Sequence, residues 1–350
     1  MGSLFGYTLP TVRVLIIAVV LALAAVSPTV AQAEGVTGAR DPAPVAPLRF
    51  FAVGDLPYHR AEEVPLQALL AEAASEQPPF IVHVGDIKSG GGLCTDEQLR
   101  GIAAIFQSLP VPVVYTPGDN EWTDCHRSEA GGLNPRDRLA RLREVFFADP
   151  AVLRLAALGV IQADPSYPEI YGFVAGEVLF VALHIVGSEN GLDAPYAGAR
   201  AEFEDRDAFN QAFLSRMLDS PAGRSARALV VLIHADPLFE SGKGPEGFQG
   251  FKQQLVATMS RFPGPVLLIH GDTHHFQHNH PLLDPARGAP FERFTRVEVP
   301  ASPLVGGVWI TVDPHAAEPF TAKPVYAVPL ETLGNRANDQ DPFATRLPAP

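Results

Sequence analysis

The sequence predicts an α/β fold in which parallel strands carry helices on their faces. Short hydrophobic runs alternate with helix-spaced segments over residues 49–115, the pattern of strand–helix–strand units. Those runs are apolar throughout rather than every second residue, as strands covered on both faces are. Three of them end in a Gly-Asp pair: Gly54-Asp55 after Phe50-Phe51-Ala52-Val53, Gly85-Asp86 after Phe80-Ile81-Val82-His83-Val84, and Gly118-Asp119 after Val113-Val114-Tyr115-Thr116-Pro117. Loops at the carboxyl ends of parallel strands converge in space, so these three carboxylates are expected on one edge of a sheet.

Each element follows from its own pattern. Residues 49–53 read as the first strand, and residues 60–76 (Ala61, Val64, Leu66, Leu69, Leu70, Ala73) have helical spacing. Residues 80–84 and 113–115 read as the second and third strands, with a helix over 96–108 between them. The segment 122–135 is polar and leads into a helix over 136–147. Residues 172–173 and 178–185 read as a hairpin around Gly176-Glu177. A helix is expected over 205–219, a strand over 228–233, a helix over 248–262 and a strand over 266–269. Residues 294–299 and 307–312 read as late strands.

Composition narrows the function classes. The chain has 350 residues, 47% of them hydrophobic, enough for a large core. Lys and Arg number 26 against 39 Asp and Glu, a net charge of −13. No basic block stands out, which argues against a nucleic-acid or anionic-membrane surface.

At the N-terminus Arg13 precedes an apolar run from Val14 to Val26, Ser27-Pro28 breaks it, and Ala31-Gln32-Ala33 supplies a small-residue cleavage pattern. This reads as a secretory signal over residues 1–33, cut after Ala33, and predicts a periplasmic or secreted protein. The run is short for a transmembrane helix, which needs about 20 apolar residues; an uncleaved anchor is the alternative. Residues 34–47 read as a flexible leader, 48–334 as the folded domain and 335–350 as a loosely ordered tail. The two cysteines, Cys94 and Cys125, each follow a Gly-Asp loop. Export and an even count favour a disulfide that staples those loops; two unrelated thiols are the alternative.

The candidate site residues are Asp55, Asp86 and Asp119, with His234 directly after Leu229-Val230-Val231-Leu232-Ile233, and Asp272 and His274 in His270-Gly271-Asp272-Thr273-His274. Glycine before each early aspartate permits a tight turn and close approach of a ligand. In an extended loop Asp272 and His274, two apart, project the same way. Oxygen and imidazole donors without thiolate suit Mn²⁺, Fe or Zn²⁺, and so many buried carboxylates need a cation among them. Lys88 reads as a solvated lysine, with a phosphate-holding role the alternative; Trp122 as a core or pocket residue; and Asn190 as part of an ordinary turn, with a place facing the site the alternative.

In this order the motifs resemble those of the calcineurin-like metallophosphoesterase superfamily, which includes the purple acid phosphatases. The family's D-x-H, G-D, G-N-H-D/E, H and G-H-x-H correspond here to Asp55-Leu56-Pro57-Tyr58, Gly85-Asp86, Gly118-Asp119-Asn120-Glu121, His234 and Gly271-Asp272-Thr273-His274. The resemblance implies a four-layer α/β sandwich: two mixed β-sheets flanked by helices. It implies two metal ions bridged by Asp86, one also held by Asp55 and His274, the other by Asp119 or Asn120, His234 and Asp272. It implies hydrolysis of a small-molecule phosphomonoester or phosphodiester by a metal-activated hydroxide.

Three departures bear on that chemistry. Pro57 stands where the family has a histidine ligand; Tyr58 or His59 would have to compensate, and His275 adjoins the last motif. Asp119-Asn120 replaces Asn-His. Without a gap, Asp119 takes the ligand place and Asn120 that of the catalytic histidine; a slip by one residue makes Asn120 the ligand and Glu121 the proton donor. Asp272 replaces a histidine ligand. The exchange toward carboxylate favours Mn²⁺, Mg²⁺ or Fe over Zn²⁺. A degenerate member that binds metal or ligand without turnover is the alternative function.

Overall fold

A computed structural model describes residues 46–192, 194–242 and 244–327. The expected signal segment, nearly all of the leader, the domain boundary at 334 and the tail lie outside the described residues.

The chain opens with three strands of one sheet, β1 (Leu48–Val53), β2 (Ile81–His83) and β3 (Val113–Tyr115). It continues through β4 (Ile161–Gln162), β5 (Tyr171–Ala175), β6 (Val178–Ala182), β7 (Ala228–Leu232), β8 (Val266–His270) and β9 (Gln277–Asn279). A small hairpin of β10 (Leu283–Asp284) and β11 (Ala289–Pro290) precedes β12 (Phe294–Glu298), β13 (Gly306–Val312) and β14 (Phe320–Tyr326). The first sheet has the order β14-β13-β1-β2-β3 and the second β4-β5-β6-β7-β8-β12-β9. β1, β2 and β3 are parallel and β13 returns antiparallel; β6, β7, β8 and β12 are parallel, with antiparallel β5 and β9. Both sheets are therefore mixed.

The alternation of each strand explains the layering, because successive side chains point to opposite faces. Phe51, Val53, Ile81, Val113 and Tyr115 face the helices Arg60–Ser75, Asp96–Ser108 and Pro135–Phe147. Phe50, Ala52, Val82 and Val114 face the other sheet, meeting Phe173, Phe180, Val230 and Leu267. Leu229, Val231 and Ile233 turn outward to the helices Ala199–Asp219 and Gln249–Arg261. The result is helix, sheet, sheet, helix. Phe50, Phe80, Phe173 and Phe180 lock the middle layer, with ring centroids 4.8–5.4 Å apart. Each such ring contributes about 1.5–3 kcal/mol by burial.

Local signals set several boundaries. Thr95 caps the helix Asp96–Ser108 by accepting from Gln98 N, and Asn134 with Pro135 starts the next. The helix expected from 205 begins at Ala199, because between Ala199 and Asp205 it buries Ala199 alone and so carries no apolar stripe.

Candidate metal centre

The carboxyl ends of β1, β2 and β3 in one sheet and of β7 and β8 in the other open on the same place. Asp55 and Asp86 directly follow the Gly-Asp glycines, and both have left-handed backbones, φ 53° and 54°. Such a conformation costs about 1–3 kcal/mol for a non-glycine residue and needs surrounding structure to hold it. Asp55 N donates to Gly85 O at 2.9 Å, which ties the first two turns together. The glycines serve the neighbouring motif: a Cβ on Gly118 would overlap Asp86 Oδ1, and one on Gly271 would overlap Asp55 Oδ2.

The second sheet supplies the imidazoles. His234 Nδ1 faces Val84 O at 2.9 Å and His274 Nδ1 faces Ser302 O at 2.9 Å. A carbonyl there takes the Nδ1 proton and leaves Nε2 as a lone-pair donor, as in metal-binding histidines. His234 Nε2 lies 3.4 Å from Asp86 Oδ1, 3.2 Å from Asp119 Oδ1 and 4.0 Å from Asp272 Oδ1. His274 Nε2 lies 3.7 Å from Asp55 Oδ1. The loop between Asp272 and His274 is not extended: φ is 83° and 65° at those residues. Two left-handed turns, not strand alternation, bring both side chains inward.

Two interlocking groups result, Asp55, Asp86 and His234, and Asp119, His234 and Asp272, with donor atoms in each within 4.8 Å of one another. His234 is common to both; Asp86, to which the resemblance gave the bridging place, lies in the first group with Oδ1 3.4 Å from His234 Nε2. His234 Nε2 and Asp55 Oδ2 are buried without a hydrogen-bond partner, which a bound cation would remedy. Electrostatics agree. Burial pushes the Asp55 carboxyl up to about 8 and Asp272 up to about 6, and with its acidic neighbours lifts Asp86 well above the usual range. Burial opposes charge on His234 too, but Asp86, Asp119, Asp55 and Asp272 outweigh it and hold the imidazole well above its ordinary value. In Asp119 burial is outweighed instead by His234 and Ser188, and the carboxyl falls below its usual range. A cation removes this mutual repulsion, so the donor set fits one.

Around this core the remaining candidates divide. Tyr58 enters it: its OH donates to Asp86 Oδ2 at 2.8 Å and lies 3.5 Å from Asp55 Oδ1 and 3.1 Å from His274 Nε2. Asn120 enters too, donating from Nδ2 to Asp86 Oδ2, to Tyr58 OH at 3.1 Å and to Lys88 O at 3.1 Å. Glu121 lies beneath, fully buried. Its Oε1 accepts from Gly118 N at 2.7 Å, Tyr115 OH at 2.8 Å and Asp86 N at 3.2 Å. Position 121 therefore braces two turns and does not face the cleft. His59 is exposed at the start of the helix Arg60–Ser75, and His275 is exposed with Nδ1 on Thr273 O; neither joins the cluster.

Some residues depart from the sequence reading. Lys88 is 2% exposed rather than solvated, with Nζ on Ser89 O at 2.8 Å; burial lowers its ammonium below the ordinary value, against the pull of Glu121 and Asp86. Asn190 is buried, bonded to Val186 N and Arg206 rather than facing the site. Ser188, not singled out in the sequence, donates to Asp119 Oδ2 at 2.7 Å. Trp122 is core, packed with Leu139 and Val186. Cys94 and Cys125 form a disulfide with Cα atoms 5.7 Å apart, and both sulfurs adjoin Asn120 O.

A family model described as calcineurin-like phosphoesterase matches residues 48–276. Among solved structures the chain is similar to a dimetal phosphatase from Danio rerio, at 13% identity and TM-score 0.52, over 80% of this chain and 96% of that one. It is also similar to the purple acid phosphatase PPD1 of yellow lupin (Lupinus luteus), at 13% identity and TM-score 0.54, over 81% of this chain and 52% of that one. At such identity the likeness is one of fold. No curated protein matches by sequence.

Proposed function

The chain belongs to the calcineurin-like phosphoesterase family, and from that premise we propose that it hydrolyses small-molecule phosphoesters at a two-metal centre held by Asp55, Asp86, Asp119, His234, Asp272 and His274. The observation that carries this reading is the pair of donor groups sharing His234, with Nε2 and Asp55 Oδ2 buried and unpartnered. Bound metal ions would polarise a phosphoryl oxygen and lower the pKa of a water. Carboxylate-rich donors suit Mn²⁺, Mg²⁺ or Fe better than Zn²⁺.

The protein's own groups do the positioning. Val84 O and Ser302 O fix the tautomers of His234 and His274, and Ser188 orients Asp119. The contacts of Asp119 favour the register without a gap, in which Asn120 takes the place of the family's catalytic histidine. An amide stabilises developing charge but supplies no proton. Substrates with weakly basic leaving groups are therefore favoured, with water protonating the departing oxygen. The signal pattern over residues 1–33 supports export, and the Cys94–Cys125 disulfide accords with an oxidising compartment.

A second reading, ligand binding without turnover, draws on Glu121: with Oε1 triply bonded and Oε2 buried out of reach, it has no path to a substrate. Metal analysis with a phosphoester screen separates the two. The hydrolase reading expects two metal ions per chain and turnover in the wild type, with both lost in Asp86→Ala. Full metal loading without hydrolysis of any phosphoester would leave only the binding reading, and equal metal content in Asp86→Ala would remove Asp86 from the ligand set.

A further inference from the structure

One fixed cation stands beside the cluster on the side where the family's catalytic histidine is missing. Arg127 Nη1 lies 2.7 Å from Asp124 Oδ2, and that carboxylate is 3% exposed while the Arg127 side chain is 38% exposed. A buried carboxylate thus anchors one edge of the guanidinium and leaves the rest toward water. Guanidinium has five N–H donors in a rigid fork, and the Asp124 contact occupies one nitrogen.

The neighbouring loop packs against it. Ser89-Gly90-Gly91-Gly92 follows Lys88, and Gly92 N donates to Ser89 O at 2.9 Å. A Cβ placed on Gly90 would come within 2.8 Å of Arg127 Nη1, 2.9 Å of Asn120 Oδ1 and 3.6 Å of Asp124 Oδ2. Gly90 therefore packs closely against both Arg127 Nη1 and Asn120 Oδ1, which brings the guanidinium close to Asn120. Asn120 in turn contacts Asp86 and Tyr58, so the guanidinium adjoins the metal centre.

We propose that Arg127, anchored by Asp124 beside Asn120, is a specificity residue that binds phosphoryl oxygens and selects phosphomonoesters over phosphodiesters. The inference rests on the phosphoesterase reading and deepens it. A monoester dianion carries a charge and a terminal oxygen that a diester lacks, and a planar fork is matched to paired phosphoryl oxygens. The surrounding carboxylates Asp55, Asp86, Asp119, Asp124 and Asp272 otherwise repel an anion, so a fixed guanidinium is felt most by the more highly charged ligand.

The test compares Mn²⁺-loaded wild type with Arg127→Gln, Arg127→Lys and Gly90→Ala. Metal content is measured first, then binding of inorganic phosphate by calorimetry, then turnover of an aryl phosphomonoester and the corresponding diester. In Arg127→Gln, with metal content unchanged, phosphate Kd and monoester KM are expected to rise about tenfold or more, as loss of a charge-assisted contact implies. Diester kcat/KM should change much less, and Arg127→Lys should recover part of the loss. Gly90→Ala keeps the charge but crowds the guanidinium and displaces it, so it should also weaken phosphate; it decides the matter if Arg127→Gln does not fold. Equal losses on monoester and diester, or phosphate binding unaffected by both Arg127→Gln and Gly90→Ala, would overturn the proposal. If the wild type hydrolyses nothing, the hydrolase reading falls, and titration with inorganic phosphate and a dialkyl phosphate decides this one: Arg127-dependent binding of phosphate but not of the diester upholds it, while absent, Arg127-independent or equally affected binding overturns it.

Discussion

Glu121 is fully buried, with Oε1 accepting from Gly118 N, Tyr115 OH and Asp86 N and Oε2 sealed away without a partner, so neither oxygen is open to a substrate. Removing it leaves three buried donors unpaired, each costing about 1–3 kcal/mol. Glu121→Ala is therefore expected to lose about 3 kcal/mol or more in denaturant unfolding. Glu121→Gln keeps an oxygen at that point and should stay within about 1 kcal/mol of the wild type. Its pH–rate profile should keep its shape, and a lost limb in Glu121→Gln would restore the side chain as a proton donor. The aspartates were legible because glycine and carboxylate at a strand end form a local pattern. Ser188 and Lys88 were not. A serine in a turn and a lysine after an aspartate carry no local mark, and only the fold brings Ser188 to Asp119 or seals Lys88 from water.

Elements are fastened to one another by a second buried polar group. Arg143, on the helix Pro135–Phe147 over the first sheet, donates Nε to Glu169 Oε2 at 2.9 Å. Glu169 Oε1 also faces His184 Nδ1 at 2.9 Å, just beyond β6 of the second sheet. Burial pushes the Glu169 carboxyl up, but His184 and Arg143 overcome it and bring it from 4.5 down to about 2. A carboxyl depressed in the folded state stabilises fully above its ordinary value and loses that contribution as pH falls through the folded one. Wild type is thus expected to lose on the order of 3 kcal/mol through this group between pH 4.5 and pH 2. Glu169→Gln should be less stable at neutral pH and show a flatter slope across that window in urea titrations. Parallel slopes would show that the pair does not fasten these elements. The buried strands and their helices were legible from apolar runs and spacing. The edge strands were not: β9 is Gln-His-Asn, and β14 carries Lys323 and Pro324, the residues that protect a sheet edge and erase its apolar signal.

Across the whole molecule, the candidate centre is a seam between sheets. Asp55, Asp86 and Asp119 follow strands of the first sheet, while His234, Asp272 and His274 follow strands of the second. The two are already tied there by hydrogen bonds: His234 Nδ1 on Val84 O at 2.9 Å and Ser302 N on Asp55 O at 3.3 Å. A cation held by both sets binds the assembled sandwich and not either sheet alone, so its binding free energy adds to the unfolding free energy of the domain. At a free Mn²⁺ concentration about 100 times Kd the gain is about 2.7 kcal/mol for one site. Without metal, the burial that lifts Asp55 to about 8 and Asp272 to about 6, with the repulsion among these carboxylates, works against the same seam. Thermal unfolding should therefore shift upward as one transition on adding Mn²⁺ and return on chelation. In Asp86→Ala and His234→Ala the shift should vanish, since each removes a donor from the cluster that holds Asp55. A shift of equal size in both variants would locate the stabilising cation away from the seam.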